Sequence, residues 1–258
     1  MDKPLLDDSD GFKKSAKDAD IETRIAEHCQ RYGITPLDAV KQFSVLARRQ
    51  ALKRFLAHVD LFKMTLDVPG DIAELGVFRG GGLMTWANLL EAYAIGDRTK
   101  MVYGFDNWQG FSGLSPEDGK AEDHSGKVVG GFNPSAYLAE LEDAIAIFDS
   151  DRFIPQKPRV KLIQGHIEDT VPAFIRDNPG VRLSLVHFDC DLYKPTRAAL
   201  EVLWDRVVRG GVIVFDEYAI ADWPGESKAV DEFLAAIPGV RLQTFSWTNV
   251  PGAYLVKP

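Results

Sequence analysis

Apolar residues along this chain fall into two alternating patterns. Short continuous runs rich in β-branched and aromatic residues read as buried strands, and stretches with apolar positions three or four apart read as helices. Asp71–Leu75 is the first such run; a glycine turn and a helix through Leu83 to Tyr93 follow it. Met101–Asp106 and Val160–Gly165 are the second and third, and Leu183–Phe188 and Gly211–Phe215 the next two. Helices are expected over Ser135–Phe148, Thr170–Arg176, Pro195–Val208 and Ser227–Ala236, with closing strands over Val240–Trp247 and Gly252–Val256. Strand and helix alternating in this way predicts a doubly wound, mostly parallel α/β sheet with a C-terminal antiparallel strand pair.

The amino-terminal part is patterned differently. Residues 1–20 are charged and poor in apolar residues, which predicts a mobile tail. Residues 21–66 carry helical periodicity at Ile21, Ile25 and His28, then a new helix start at Thr35-Pro36 with Asp38 in its first turn. This segment reads as a helical extension, too small for a core of its own. It is expected to serve as a lid or as the contact in a homodimer or larger homo-oligomer. Residues 67–258 make the main domain. Within it, the polar, glycine-rich stretch Asn107–Asn133 is too long for a tight connector and reads as a functional loop or lid.

Two apolar runs end in acids: His187-Phe188-Asp189-Cys190-Asp191-Leu192-Tyr193, and Val214-Phe215-Asp216-Glu217-Tyr218. Neighbouring parallel strands would present Asp189, Asp191, Asp216 and Glu217 together at their carboxyl ends, where open α/β sheets bind ligands. Four crowded acids repel one another unless a cation joins them, and carboxylates suit a hard divalent ion such as Mg²⁺. The alternative is that Asp189 and Asp191 bond a cofactor or cap a helix. His187 reads as a packed, hydrogen-bonded histidine rather than a ligand. His124 reads as a solvated loop residue. Tyr193 and Trp223 are candidates for an acceptor wall.

The charge balance adds exclusions rather than a substrate. A net charge of −8 argues against binding nucleic acid or an anionic membrane. Two cysteines, Cys29 and Cys190, offer no disulfide framework, and no apolar run is long enough to span a bilayer, so a cytoplasmic protein is expected.

After the first strand stands Glu74-Leu75-Gly76-Val77-Phe78-Arg79-Gly80-Gly81-Gly82, which is not the dinucleotide fingerprint. Asp106 also lies about ten residues further from Gly76 than a dinucleotide fold places its ribose-binding acid. Both observations weigh against an NAD(P)-dependent oxidoreductase. An acid at the turn suits a cationic, phosphate-free nucleoside such as S-adenosylmethionine.

Glu74-Leu75-Gly76-Val77, Gly104-Phe105-Asp106-Asn107-Trp108-Gln109-Gly110, Asp189-Cys190-Asp191-Leu192-Tyr193, Gly210–Tyr218 and Lys228–Phe233 occur in the order of one known family. Over roughly residues 70–234 the chain resembles the macrocin O-methyltransferases. That resemblance implies the class I S-adenosylmethionine-dependent methyltransferase fold and Mg²⁺-dependent methylation of sugar hydroxyls on natural products. It implies Asp189, Asp216 and Glu217 as metal ligands and Asp191 as general base. Glu74 and Gly76 would border the methionine part of the cofactor and Asp106 would hold the ribose hydroxyls. Trp108 and Asp189, with Gly165, His166 and Ile167 beside the adenine, complete the expected cofactor pocket.

One departure is Glu217, where the family generally has aspartate. A catechol-type metal-dependent O-methyltransferase is the rival within the class. Those enzymes carry lysine directly after the second aspartate of the pair, and here that residue is Leu192.

Overall fold

The computed structural model describes residues 16–120 and 126–258. Most of the expected N-terminal tail and His124 therefore lie outside the described residues. The chain divides into two compact units, one ending at Arg54 and the other running from Phe55 to Pro258.

In the first unit, α1 (Ala16–Tyr32), α2 (Pro36–Lys41) and α3 (Phe43–Leu46) are followed by the start of α4 (Arg49–Lys63). Thr35 opens α2 with a reciprocal cap: its hydroxyl accepts from the Asp38 amide, and the Asp38 carboxylate accepts from the Thr35 amide. Neither α2 nor α3 buries a residue, and Leu37, Val40, Phe43 and Val45 are all exposed. Ala57, His58, Leu61 and Phe62, in the second half of α4, are buried in the second unit.

The second unit is built on β1 (Asp71–Leu75), β2 (Val102–Asp106), β3 (Val160–Gln164), β4 (Leu183–Phe188), β5 (Val207–Phe215) and β6 (Ala253–Val256). Their order is β3-β2-β1-β4-β5-β6, with β6 antiparallel to β5 and every other pairing parallel. The helices α5 (Gly81–Tyr93), α6 (Leu138–Asp151), α7 (Ile167–Asp177), α8 (Tyr193–Leu203) and α9 (Pro224–Leu234) alternate with the strands. β4 is buried at all six positions. That fits a central parallel strand covered on both faces. One apolar cluster joins β1, β4 and β5 to α7 and α8, and the other joins the opposite face to α4 and α5.

The expected closing strand over Val240–Trp247 does not form. Only Gln243 bridges Tyr254, through a reciprocal pair of backbone hydrogen bonds of 2.8 and 2.9 Å. Phe245 instead packs its ring on Tyr254 and on Trp247. The alternation that suggested a strand therefore serves side-chain packing against β6 rather than a ladder.

Candidate functional site

The register of the central strands assembles the site. Glu74 of β1 lies opposite His187 of β4, and His187 opposite Val214 of β5. Side chains two apart on a strand share a face, so Asp216 and Asp189, each two residues further on, project on the same side as Glu74 and His187. The Asp189 amide donates to the Leu75 carbonyl and the Asp216 amide to that of Phe188, carrying the pairing one step past each strand end. Gly76 lets the turn close against this point: a Cβ there would lie 1.9 Å from the Asp189 carbonyl oxygen, and its φ is +86°.

A buried polar chain runs across these strands. Trp86 of α5 donates its indole N–H to Glu74 Oε2 at 2.8 Å, and the same oxygen lies 3.0 Å from His187 Nδ1. On the other side of the ring, His187 Nε2 lies 3.1 Å from Asp216 Oδ1. His187, Glu74 and Asp216 are all buried. A ring with a carboxylate at each nitrogen donates from both, which requires the imidazolium. Burial opposes that charge, but the hydrogen bonds and negative charges of Asp216 and Glu74 outweigh it and hold the His187 pKa up to about 10. His187 is thus the packed, hydrogen-bonded residue its strand position predicted. Glu74 lies under the glycine turn with one carboxylate oxygen committed to Trp86 and His187.

The acids gather as expected. One carboxylate oxygen from each of Asp189, Asp216 and Glu217 lies within 4.8 Å of the others. Glu217 Oε2 is buried without a hydrogen-bond partner. Asp191 adds a strained backbone, its φ of +61° being uncommon for a residue with a side chain.

Glu226, at the start of α9, is a fifth acid that the motifs did not single out. It is fully buried; its Oε1 accepts from the Glu217 amide at 2.9 Å, while its Oε2 has no partner. Burial, then the surrounding carboxylates, push the Glu217 and Glu226 carboxyls well above the usual carboxylate range. The quoted Lys228–Phe233 segment begins two residues after Glu226, and the helical pattern there marks it as an ordinary first-turn acid.

Such a donor set fits a hard cation. It is all oxygen and close enough to converge. The neighbouring sulfur does not compete: Cys190 is buried beside Thr196 Oγ1, and burial pushes its thiol pKa well up.

The expected cofactor residues divide. Asp106 Oδ2 accepts from the Val77 and Phe78 amides at 2.8 and 2.9 Å, and its Oδ1 accepts from the Trp108 amide at 2.8 Å. Its carboxylate therefore shapes the glycine turn from the next strand. The Gly165 amide donates to the Asp106 carbonyl, and His166 Nδ1 lies 3.4 Å from Asn107 Nδ2, so the ends of β2 and β3 are held side by side. Trp108 is 2% exposed and packed in the core with α5 and α6 residues. Ile167 is likewise buried in the α7 face of the core. Both are apolar residues just past a strand end, where core and pocket wall look the same in sequence.

The long loop is also more fixed than a free lid. Phe111, Phe132 and Trp223 pack ring against ring, and Lys127 is fully buried over the Trp223 ring with its ammonium donating to the Asp222 carbonyl. Residues 121–125, including His124, lie outside the described residues.

Comparison with known proteins agrees with this architecture. The family model described as Macrocin-O-methyltransferase (TylF) matches residues 37–240, most of the chain. Among curated relatives, the 8-demethyl-8-(2,3-dimethoxy-alpha-L-rhamnosyl)-tetracenomycin-C 4'-O-methyltransferase of Streptomyces olivaceus is 33% identical over 59% of this chain and 54% of its own length. The mycinamicin III 3''-O-methyltransferase of Micromonospora griseorubida is 29% identical over 64% of this chain and 61% of its own. The chain thus spans less than two thirds of the length of the curated relatives it matches. Among solved structures, the calicheamicin methyltransferase CalS11 superposes with a TM-score of 0.86 at 28% identity, covering 95% of this chain and 94% of that one. The O-methyltransferase NovP gives 0.63 at 25% identity, covering 80% of each. No helix among the described residues is long and apolar enough to cross a membrane. With a six-stranded, mostly parallel sheet of the class I methyltransferase type and a family match spanning most of its length, the chain belongs to the macrocin-O-methyltransferase family.

Proposed function

We propose that this protein is an S-adenosylmethionine- and Mg²⁺-dependent O-methyltransferase that acts on a sugar hydroxyl of a small glycosylated molecule. The observation that carries the reading is the convergence of Asp189, Asp216 and Glu217 beside Asp191 at the carboxyl ends of β4 and β5. Its relatives support the acceptor class, since two are named for methylation at numbered positions of glycosylated metabolites.

Asp189, Asp216 and Glu217 would hold the cation, which when bound lowers the pKa of an acceptor hydroxyl and orients it. Asp191, on its strained turn, would accept the hydroxyl proton. A free aspartate is a weak base for an alcohol, with a pKa of about 3.9 against a far higher one, so the base and the cation site depend on each other. The glycine turn from Gly76, the loop shaped by Asp106 and the Gly165-His166 corner would border the methyl donor. Buried Glu74 would act through the turn it supports. Self-association through the apolar side chains exposed on α2 and α3 belongs to the same reading, and light scattering tests it.

The direct test supplies labelled S-adenosylmethionine with nucleotide-linked and glycoside-linked sugars, with Mg²⁺ or with EDTA. Methyl transfer to a sugar hydroxyl that stops with EDTA is expected. Transfer to catechols in preference to sugars would contradict the acceptor assignment. Transfer unaffected by EDTA would contradict the cation.

A further inference from the structure

Asp118 belongs to the long polar loop, far in sequence from the acids at the ends of β4 and β5, yet its carboxylate ends at the turn that carries Asp191. A single 3-10 turn, Pro116–Asp118, brings it there. The Ser115 amide and hydroxyl both donate to Asp118 Oδ2 at 2.6 Å. Asp118 Oδ1 accepts from the Tyr193 amide at 2.6 Å, and the residue is only 1% exposed. A buried carboxylate accepting three donors, one of them from a distant element, is a built contact rather than a surface accident.

The partner it holds is informative. Tyr193 is the first residue of α8 and follows Asp191 by two positions. The α8 N-cap residue, Leu192, makes no side-chain cap, so the cap is supplied from the loop. Just before it, Asp191 is in the left-handed region at φ +61°, and the Leu192 amide closes a tight turn onto the Cys190 carbonyl at 2.6 Å. A residue with a side chain is held in the left-handed region by its surroundings, and the Asp118 contact is one such restraint.

The packing leaves no slack on the far side. A Cβ on Gly225 would sit 2.1 Å from Asp118 Oδ1 and 2.8 Å from the Tyr193 nitrogen. Gly225 directly precedes Glu226, which holds the Glu217 amide. One loop carboxylate is therefore clamped between the Asp191 turn and the first turn of α9.

We propose that Asp118 is a positioning residue: it fixes the Asp191 turn from the Ser115–Asp118 turn, so that these two turns form one mechanical unit. The inference rests on the reading of Asp191 as the base. Asp118 touches neither base nor acceptor and acts through the backbone of Tyr193.

The test compares Asp118→Ala, Asp118→Asn and Asp191→Asn, with Glu117→Gln on the same 3-10 turn as a control. Turnover, acceptor KM and affinity for S-adenosylhomocysteine by calorimetry are measured for each. Asp118→Ala is expected to lower kcat by about 10²-fold, the cost of a displaced catalytic group, with nearly unchanged affinity for the cofactor product. Asp118→Asn, which keeps an oxygen to accept from Tyr193, should recover part of that loss. In an Asp191→Asn background, Asp118→Ala should cost little more.

If Asp191→Asn is inactive while both Asp118 variants turn over like wild type, the inference is overturned. A fall in cofactor affinity parallel to the fall in kcat would also overturn it, by showing a merely structural cap. Wild-type turnover in Asp191→Asn would instead remove the base assignment on which the inference stands. Should Asp118→Ala fail to fold, Asp118→Asn carries the same comparison.

Discussion

The two ends of the parallel sheet treat buried charge in opposite ways. At the amino-terminal ends of the strands, each buried cation is matched. Arg159 donates to Glu91 and to the carbonyls of Lys100 and Asp97; Arg152 donates to Glu91, Asp149 and the Lys157 carbonyl. Lys100 donates to the carbonyls of Thr65 and Val68. At the carboxyl ends, Asp189, Asp191, Asp216, Glu217 and Glu226 crowd together, and His187 is the one buried cation bonded among them in the described hydrogen bonds. Satisfied buried pairs stabilise a fold or leave it neutral, whereas uncompensated like charges destabilise it. One end is complete by itself. The other gathers carboxyls so closely that two of them, Glu217 and Glu226, are pushed well above the usual range.

The largest difference should appear in turnover. Asp191→Asn removes the proton acceptor while keeping shape, and a steady-state assay should show a loss of about 10²–10⁴-fold. Near-normal turnover would place the base elsewhere. Its counterpart at the other end, Arg159→Met, leaves Glu91 to Arg152 alone and strips the Lys100 and Asp97 carbonyls of a donor. Denaturant unfolding should register about 1–3 kcal/mol of lost stability, with cation affinity unchanged. If Arg159→Met altered cation affinity as well, the two ends would not be independent.

Smaller effects should carry opposite signs at the two ends. In chelated protein Glu226→Gln should raise stability by about 1 kcal/mol, because it removes a buried carboxylate from among like charges. A destabilised variant would mean that Glu226 is fully compensated where it stands. The pH dependence follows from the same shifts. Glu217 and Glu226 are raised above their usual range, so the folded chain holds protons that the unfolded chain gives up, and stability falls as pH rises above that range. His187 stabilises fully below its ordinary 6.5, and that contribution is lost as pH climbs through about 10. Both act in one direction. The melting temperature of chelated protein should therefore fall from pH 6 to pH 9, and saturating Mg²⁺ should flatten the slope.

Most of the sheet was legible in the sequence because continuous apolar runs and crossover helices constrain each other. The acids at Asp189, Asp191 and Asp216 were legible because strand ends are where an acid after an apolar run has no core to enter. The network around them was not. Glu74 meets His187, and through it Asp216, only by way of the parallel register, which joins Glu74 to a residue 113 positions away. Asp118 looks like one more loop acid until the fold brings it to Tyr193. Val240–Trp247 misled for a related reason: a short alternating stretch packs equally well in a ladder or a loop.

Calorimetric titration of Mg²⁺ into chelated wild-type protein and into Asp216→Asn, with melting temperature followed in parallel, tests the central claim most directly. The proposed cation site predicts one cation per chain for the wild type, a rise in melting temperature on binding, and loss of both in the variant. No binding heat and no thermal shift in the wild type would contradict it.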